Sequence, residues 1–312
     1  MQRLCVIFNP AARGERSHRT LDFVATKSTR SHQVVIAPTE RTGDAQRLAA
    51  WAVSEGHEMI VAAGGDGTIN EVVNGIGTSG VPLAILPGGT VNVLALELGI
   101  PFRLDAAWKI IEQGSWRAID LGRVEANGTS RYFAQLAGVG LDAVSVRNTN
   151  WEMKKRFGPL SYVWAGLKTI GSHDAVVEVE SRTGIPACAA GEKPNELASN
   201  GRTTSTRGGL VLIGNGRFYG GRFAVFPDAR MDDGLLDVCI FHKGGYLNVL
   251  RYLQGVWRGV HTGFDDVTYF QTNGFVCRSP VPVPFEVEGE VAGDVPATFS
   301  VLPRALRVIA PA

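Results

Sequence analysis

The fold prediction rests on the stretch Val61-Ala62-Ala63-Gly64-Gly65-Asp66-Gly67-Thr68-Ile69-Asn70-Glu71. An apolar run typical of a buried strand leads into a glycine-rich turn, and a helix-compatible segment follows. Because Gly64, Gly65 and Gly67 lack side chains, backbone N–H groups there can approach a phosphate, and a helix N-terminus favours an anion. An ordinary strand-to-helix turn that uses glycine for its backbone freedom is the alternative explanation.

The same alternation of strands and helices surrounds this stretch. Apolar runs predict strands, and amphipathic segments between them predict helices, one of them with Trp51 on its apolar face. Asp105 is expected to cap a further helix that ends at Gly114. This order predicts an α/β domain with a mostly parallel sheet and helices on both faces. The predicted strands are 4–8, 33–37, 58–63 and 82–86, and the predicted helices are 44–55, 68–75 and 91–98.

Two more polar, glycine-containing turns follow predicted strands. Phe8-Asn9-Pro10-Ala11-Ala12-Arg13-Gly14 follows the first strand, and Leu86-Pro87-Gly88-Gly89-Thr90-Val91-Asn92 follows the fourth. The carboxyl ends of parallel strands meet at one edge of the sheet, where open α/β sheets bind their ligands. The three turns together therefore predict a ligand site at that edge.

The second half of the chain changes character after Ile119. Short apolar or alternating segments separated by turn signals predict a mainly antiparallel β-sandwich. One of two predicted helices places Leu250, Leu253 and Trp257 at helical spacing, which predicts a core-facing side. A stretch rich in Gly, Ser, Thr and Asn, 184–209, predicts a long exposed loop. The predicted strands are 131–137, 175–180, 210–214, 235–241 and 285–290, and the helices lie near 158–170 and 246–256.

Composition excludes several classes of protein. The 312 residues carry a formal net charge of +1, which argues against a nucleic-acid-binding surface. The four cysteines have no zinc-site spacing, and no apolar run approaches the roughly 18 residues of a membrane span. There is no GxxxxGK[ST] motif, and Gly138-Val139-Gly140 is attributed to close backbone packing in the β-rich half.

An ordered set of motifs along the chain resembles the diacylglycerol kinase catalytic-domain family, in its bacterial branch of soluble lipid kinases. GGDGT alone is shared with NAD kinases and phosphofructokinases, so the specificity lies in the ordered set of motifs. The resemblance implies a nucleotide domain of residues 1–122 completed by 302–312, and a lipid-substrate domain of residues 123–301. The matching segments are Asn9-Pro10 with Gly14, Thr39 with Gly43-Asp44-Ala45, Gly64 to Asn70, Pro87 to Asn92, and Pro227-Asp228-Ala229 with Asp232-Asp233-Gly234-Leu235-Leu236-Asp237.

The resemblance implies that the protein is an ATP-dependent lipid kinase. It would transfer the γ-phosphate to a hydroxyl of a diacylglycerol-like or sphingoid-like lipid alcohol in an interdomain cleft, with Mg²⁺ as cofactor. Asp66 would act through magnesium near the transferred phosphoryl group. The residues implied to bind the nucleotide are Asn9, Thr39, Gly64, Gly65, Asp66, Gly67, Thr68, Ile69, Asn70, Gly89, Thr90 and Asn92.

The family resemblance also assigns a second site, with one departure from the pattern. Asp233 with the carbonyls of Arg230 and Leu235 would hold a structural Mg²⁺, a cation that prefers hard oxygen ligands. Glu288 stands where the family has the aspartate that acts as general base, and Glu290 would support either Glu288 or a metal-bound water. The extra methylene of Glu288 would displace its carboxylate by about 1 Å, and misplacement of that size costs about 10²-fold in rate. The alternative is a backbone shift that absorbs the extra length.

Other interpretations stay open at this point. The protein is either an active lipid kinase, a nucleotide-binding regulatory protein impaired by Glu288, or an NAD kinase, which shares GGDGT. The lipid kinase interpretation implies a cytoplasmic protein that contacts the inner face of a membrane peripherally, and it allows a homodimer. Trp151, Phe157, Tyr162 and Trp164, beside Lys154-Lys155-Arg156, fit either a membrane surface or a buried core.

Overall fold

The computed structural model describes residues 2–10, 15–27, 32–140, 176–181 and 204–311. The chain divides into two compact units. The first comprises Met1–Leu121 and Pro303–Ala312, and the second comprises Gly122–Leu302. Several predictions lie outside the described residues: Gly14 of the first motif, the helix near 158–170, and the aromatic and basic group between Trp151 and Trp164.

The first unit is the predicted α/β domain. Its parallel strands follow the order β2-β1-β3-β4 and continue into the end of the last strand, β18. Side chains of β3 and β4 are buried throughout, as expected for a parallel sheet covered by helices. The elements are β1 Gln2–Phe8, α1 Glu15–Ala25, β2 His32–Pro38, α2 Asp44–Ser54, β3 Met59–Gly64, α3 Asp66–Ile76, β4 Leu83–Pro87, α4 Val93–Glu97, α5 Leu104–Gln113 and the start of β5 Trp116–Ala126.

Three local predictions in this unit were wrong. Helix α3 begins at Asp66, two residues earlier than predicted, because the extended Gly65 directly precedes the helix as its N-cap. Helix α5 begins at Leu104, so Asp105 lies in its first turn, where it pairs with Arg103 instead of capping. Trp51 is exposed, because α2 buries its alanines, which allow close packing against the neighbouring α3.

The second unit is the predicted antiparallel β-sandwich. One sheet has the order β14-β13-β10-β7-β16-β17, and β18, β15, β8 and β9 pair in a second layer. Apolar side chains such as Val139, Val179 and Phe285 from both layers form one core. The remaining elements are β6 Thr129–Phe133, β7 Leu136–Gly140, β8 Val177–Ser181, β9 Thr204–Gly208, β10 Leu210–Gly214, β11 Phe218–Tyr219, β12 Phe223–Ala224, β13 Leu236–Phe241, α6 Tyr246–Arg258, a 3₁₀ turn at His261–Gly263, β14 Val267–Thr272, β15 Gly274–Arg278, β16 Pro284–Val287, β17 Glu290–Asp294 and β18 Ala297–Ile309.

Strand β18 belongs to both units. Its first residues pair with β15 in the sandwich, where Phe299 lies opposite Phe275. Its last residues join the first unit, where Val308 pairs in parallel with Leu83 of β4.

Four predictions in this unit were wrong. The segment 131–137 belongs to two strands, because Ala134 and Gln135 interrupt the extended strand. The segment 285–290 is a hairpin, since left-handed backbone at Glu288 and Gly289 turns the chain back. Residues 204–208 of the supposed loop form β9, which pairs with β8. Leu250, Leu253 and Trp257 are exposed, because α6 packs on the sheet through Tyr252 on its opposite face.

Gly140 shows the close packing expected of the Gly138-Val139-Gly140 segment. Its backbone is left-handed, with φ 91°, and an added Cβ would lie 2.5 Å from the carbonyl oxygen of Gly209. Among the residues that the structure describes, no helix is long and apolar enough to cross a membrane.

Candidate functional site

Four parallel strands of the first unit end level with one another. Phe8 at the end of β1 pairs with Pro38 of β2 and with Ala63 of β3. Gly64 of β3 pairs with Pro87 of β4. The register therefore brings the residues that follow these strands to a single edge of the sheet, as the sequence predicted.

Hydrogen bonds join the three turns at this edge. The Asn9 side-chain amide donates to the Thr68 hydroxyl at 3.0 Å. The Asn92 side chain links the turn after β4 to the turn after β3. Its amide donates to the Gly64 carbonyl at 2.9 Å, and its carbonyl accepts from the Gly89 N–H, within its own turn, at 2.8 Å. Asn92 is fully buried and has a left-handed backbone, a conformation that asparagine tolerates better than most residues. The turns thus form one rigid substructure.

The glycines of this edge serve two purposes. A Cβ at Gly64 would lie 2.7 Å from the Thr68 side chain, and one at Gly89 would lie 2.6 Å from the Gly65 Cα. Packing between the turns therefore accounts for both of these glycines without any ligand. A Cβ at Gly65 would instead meet only the Gly89 Cα, at an ordinary 3.5 Å. The fold itself has room for a side chain at Gly65.

The N-terminus of α3 supplies the anion-binding potential of the edge. The helix runs 11 residues from Asp66, and its N-cap Gly65 makes no side-chain capping bond. The first four N–H groups of a helix have no partner within it, and the helix dipole adds partial positive charge there. Gly65, Asp66 and Gly67 line this terminus, so its backbone can bind phosphate oxygens.

Asp66 is held by the turn that precedes α4. Its Oδ2 accepts the Asn92 N–H at 3.0 Å, and its Oδ1 accepts the Val93 N–H at 2.6 Å. Burial raises the pKa of Asp66 above its ordinary value, against the opposing effect of these hydrogen bonds. The carboxylate therefore caps the N-terminus of α4, a structural role that the sequence motif alone did not reveal.

The other residues that the resemblance assigned to the nucleotide differ in exposure. Thr39 and Asn70 are buried, and Thr90 is exposed. The Ile69 side chain lies in the core, and its N–H bonds to the Gly65 carbonyl within the helix. The side chain and N–H of Ile69 are therefore both engaged within the protein, and its contact with a nucleotide stays a prediction.

Glu71 fixes a neighbouring helix to the same edge. Its carboxylate accepts the N–H groups of Gly43 at 2.9 Å and of Ala45 at 3.0 Å, at the start of α2. The sequence offered no signal for this contact, because its partners lie 28 and 26 residues away. Glu71 thus anchors the segment that follows Thr39.

In the second unit, Glu288 occupies a tight hairpin turn. Val287 pairs with Glu290, which leaves Glu288 and Gly289 as a two-residue loop with φ values of 52° and 81°. Such a pair of left-handed residues is typical of the turn that matches the twist of a hairpin. The backbone of Glu288 is thereby held in one conformation.

The Glu288 side chain is fixed as firmly as its backbone. Its Oε1 accepts the N–H of Ala134 at 2.9 Å and that of Gln135 at 2.7 Å. These two residues lie between β6 and β7. The carboxylate therefore binds at the interruption of the segment that had been predicted as a single strand. The longer glutamate side chain reaches this break, and the structure thereby accounts for a glutamate at the position.

A second carboxylate supports the turn. Glu286 is fully buried, and its Oε2 accepts the Gly289 N–H at 2.5 Å. Glu290, which the resemblance proposed as the supporting group, lies half-buried at the start of β17. Glu286 therefore stabilises the turn, and the supporting role of Glu290 stays a prediction.

The loop before β13 contains the residues proposed for a structural cation. Asp233 accepts the Leu235 N–H at 3.0 Å, and Arg230 lies 4.0 Å from Asp232. No group of three His, Cys, Asp or Glu side chains suited to a metal occurs in the described parts of the chain. A cation here would depend on the carboxylate of Asp233 and on backbone carbonyls, and such hard oxygen donors fit Mg²⁺.

The carboxylates around this loop influence one another. Burial raises the pKa of the neighbouring Asp237 to about 6, and the charges of Asp233 and Asp228 also raise it, against hydrogen bonds from Tyr269 and Gln271. Asp228, Asp233 and Asp237 therefore lie close enough to repel one another when ionised, and a bound cation would relieve that repulsion.

Two family models match the chain. Residues 3–124 match the diacylglycerol kinase catalytic domain. Residues 135–310, more than half of the chain, match the YegS C-terminal NAD kinase beta sandwich-like domain.

Similar proteins match over nearly the full length. A diacylglycerol kinase of Staphylococcus aureus is 28% identical over 313 residues, which cover 99% of this chain and 93% of the relative. One of Staphylococcus saprophyticus is 28% identical over 314 residues, covering 99% and 96%. The crystal structure of a diacylglycerol kinase from Bacillus anthracis superposes with a TM-score of 0.74 at 22% identity, covering 99% of this chain and 97% of that one. The structural match supports the fold.

Proposed function

The chain belongs to the lipid kinase family in which a diacylglycerol kinase catalytic domain is followed by a YegS C-terminal beta sandwich-like domain, and from this premise we propose its reaction. The protein transfers the γ-phosphate of ATP to the hydroxyl of a lipid alcohol of the diacylglycerol or sphingoid type. The observation that carries the proposal is the convergence of three hydrogen-bonded turns on the N-terminus of α3, where Gly65 leaves space that the fold does not need.

The first unit provides the phosphate site. The N–H groups at the start of α3 bind phosphate oxygens and stabilise the charge that develops on the transferred group. Asp66 keeps the turn that bears Thr90 in place by capping α4. Asn9 and Asn92 hold the surrounding turns rigid, so the donor is positioned without a large reorganisation.

The second unit provides the base. Glu288 accepts the proton of the lipid hydroxyl as the hydroxyl oxygen attacks the γ-phosphorus, and ADP leaves. Backbone N–H bonds to Oε1 from Ala134 and Gln135 orient the carboxylate for this step. The lipid is drawn from a membrane that the protein contacts peripherally.

Magnesium fits the reaction as a second proposed component. Mg²⁺ bound with ATP would neutralise phosphate charge. Asp233 and the carbonyls of Arg230 and Leu235 would hold a further ion that stabilises the loop before β13.

Phosphate transfer tests the proposal directly. The full-length protein is incubated with γ-radiolabelled ATP, Mg²⁺ and mixed micelles that each contain one lipid alcohol: diacylglycerol, a sphingoid base, ceramide or undecaprenol. NAD is offered in a parallel reaction. We expect one labelled lipid. Labelled NADP would overturn the proposal in favour of an NAD kinase, and ATP binding without any product would overturn it in favour of a nucleotide-binding regulatory protein.

Gly65→Ala separates phosphate binding from folding. The new methyl group meets only ordinary contacts within the protein, so we expect the melting temperature to stay close to that of the wild type. The same methyl occupies space next to the helix N-terminus, so we expect ATP to bind about tenfold more weakly, as for other overpacked sites. Titration calorimetry measures the ATP affinity.

Gly209→Ala is the matched control, because a Cβ there meets no atom within 4 Å and its backbone is not left-handed. This variant should bind ATP like the wild type. Equal ATP affinity for Gly65→Ala and the wild type would show that Gly65 serves the turn alone.

A further inference from the structure

Helix α6 of the second unit presents an apolar face to solvent. Leu247 and Trp257 are 80% and 78% exposed, and Leu250 and Leu253 are 40% and 36% exposed. At 3.6 residues per turn these four side chains fall within an arc of about 120° on the helix. An apolar stripe of this width is what a helix normally buries, and here it faces outward.

The opposite face of α6 is anchored to the sandwich, which determines the direction of the exposed stripe. Tyr252 is 4% exposed and packs in a core with Phe241 and Val267. Its hydroxyl donates to the Asp266 carboxylate at 3.0 Å, and Arg251 also bonds to that carboxylate. Although burial raises the pKa of Asp266, these bonds outweigh it and lower the pKa overall. The helix is therefore held in one orientation.

The charge on α6 restricts what can cover the stripe. The helix contains Arg251 and Arg258 and no acidic residue. Both arginines are exposed, and their positions border the apolar arc on one side, next to Leu247. Lys243, just before the helix, is also exposed. Arg251 and Lys243 share Asp266, whereas Arg258 stands beside Trp257 at the end of the helix.

We propose that the exposed face of α6 docks on an anionic lipid surface, with Leu247, Leu250, Leu253 and Trp257 entering the acyl boundary and Arg258 contacting the headgroups. Apolar residues next to basic ones, with tryptophan at the boundary, are the chemistry of a helix that lies in a membrane interface. The proposal deepens the lipid kinase function and rests on it, because a lipid alcohol must be reached in the bilayer that holds it.

Vesicle sedimentation tests the docking without any phosphate transfer. The full-length protein is mixed with vesicles of phosphatidylcholine that contain about one third phosphatidylglycerol, with neither ATP nor lipid alcohol. We expect the double variant Leu247→Ser/Trp257→Ser to bind at least about tenfold more weakly than the wild type. Arg258→Gln should bind these anionic vesicles about fivefold more weakly than the wild type does. The difference should be absent with vesicles of phosphatidylcholine alone.

The control is Phe102→Ser/Val281→Ser, which also removes two exposed apolar side chains, 46% and 49% exposed, but from other parts of the surface. This control should sediment with vesicles like the wild type. Brominated lipid should quench the wild-type fluorescence more than that of Trp257→Phe, while Trp116→Phe keeps the full quenching.

Two results would overturn the docking surface. One is equal vesicle binding by the double variant and the wild type. The other is a wild-type dimer in analytical ultracentrifugation that the double variant splits into monomers, because a second copy would then cover the stripe. Failure of the kinase proposal is recognised separately, since vesicle binding without any labelled lipid in the micelle assay leaves docking intact and removes the reaction.

Discussion

Replacing Glu288 with glutamine is expected to lower kcat by about 10²- to 10⁴-fold, the usual contribution of a general base. Glutamine keeps the length of the side chain, and its carbonyl oxygen can still accept the N–H groups of Ala134 and Gln135. The hairpin turn and the ATP affinity should therefore stay as they are. Steady-state kinetics with the lipid identified in the micelle assay, together with calorimetric ATP titration, measure both quantities.

Glu288→Asp provides the decisive comparison. Aspartate is one methylene shorter, so its carboxylate cannot keep both hydrogen bonds to the break between β6 and β7. We expect about a 10²-fold loss of kcat, because a displacement near 1 Å costs about that much. A gain in turnover would instead identify the wild type as an impaired catalyst, and undiminished activity of Glu288→Gln would remove Glu288 as the base.

Asp66→Asn is expected to damage both stability and activity. The amide nitrogen cannot accept a hydrogen bond, so either the Asn92 or the Val93 N–H loses its partner, at a cost of about 1–3 kcal/mol. The turn that precedes α4 then shifts relative to the N-terminus of α3, and we expect kcat/KM to fall by about 10²-fold. Denaturant unfolding and kinetics give the two values.

Asp105→Asn is the control for this variant, because Asp105 also lies in the first turn of a helix but pairs with Arg103 at the surface. This replacement should leave the free energy of unfolding close to that of the wild type, because exposed ion pairs contribute little. If Asp66→Asn unfolds more easily yet keeps full turnover, Asp66 only caps α4. If it keeps both stability and turnover, neither role is correct.

Prediction from sequence succeeded where the signal is local. Alternating strands and helices, turns rich in glycine and asparagine, and the order of the motifs depend on neighbouring residues, and they led to the α/β domain, the β-sandwich and the family. The level ends of β1, β3 and β4 also followed, because parallel strands in one sheet place their carboxyl ends at the same edge.

Helix α6 shows where periodicity is insufficient. Its sequence has an apolar arc around Tyr252 and another around Leu250, so spacing alone cannot say which arc is buried. Packing on the sheet and the contact with Asp266 decide in favour of Tyr252. Leu250, Leu253 and Trp257, whose spacing predicted a core-facing side, consequently lie in the exposed stripe.

The amino-acid sequence by itself determined the strands and turns of the first unit, the glycine positions and the presence of carboxylates at residues 66 and 288. Only the tertiary structure decided what those carboxylates contact. Asp66 bonds to N–H groups 26 and 27 residues away, and Glu288 bonds to N–H groups 154 and 153 residues away. Partners so distant along the chain are chosen by strand order and packing, which no local pattern encodes.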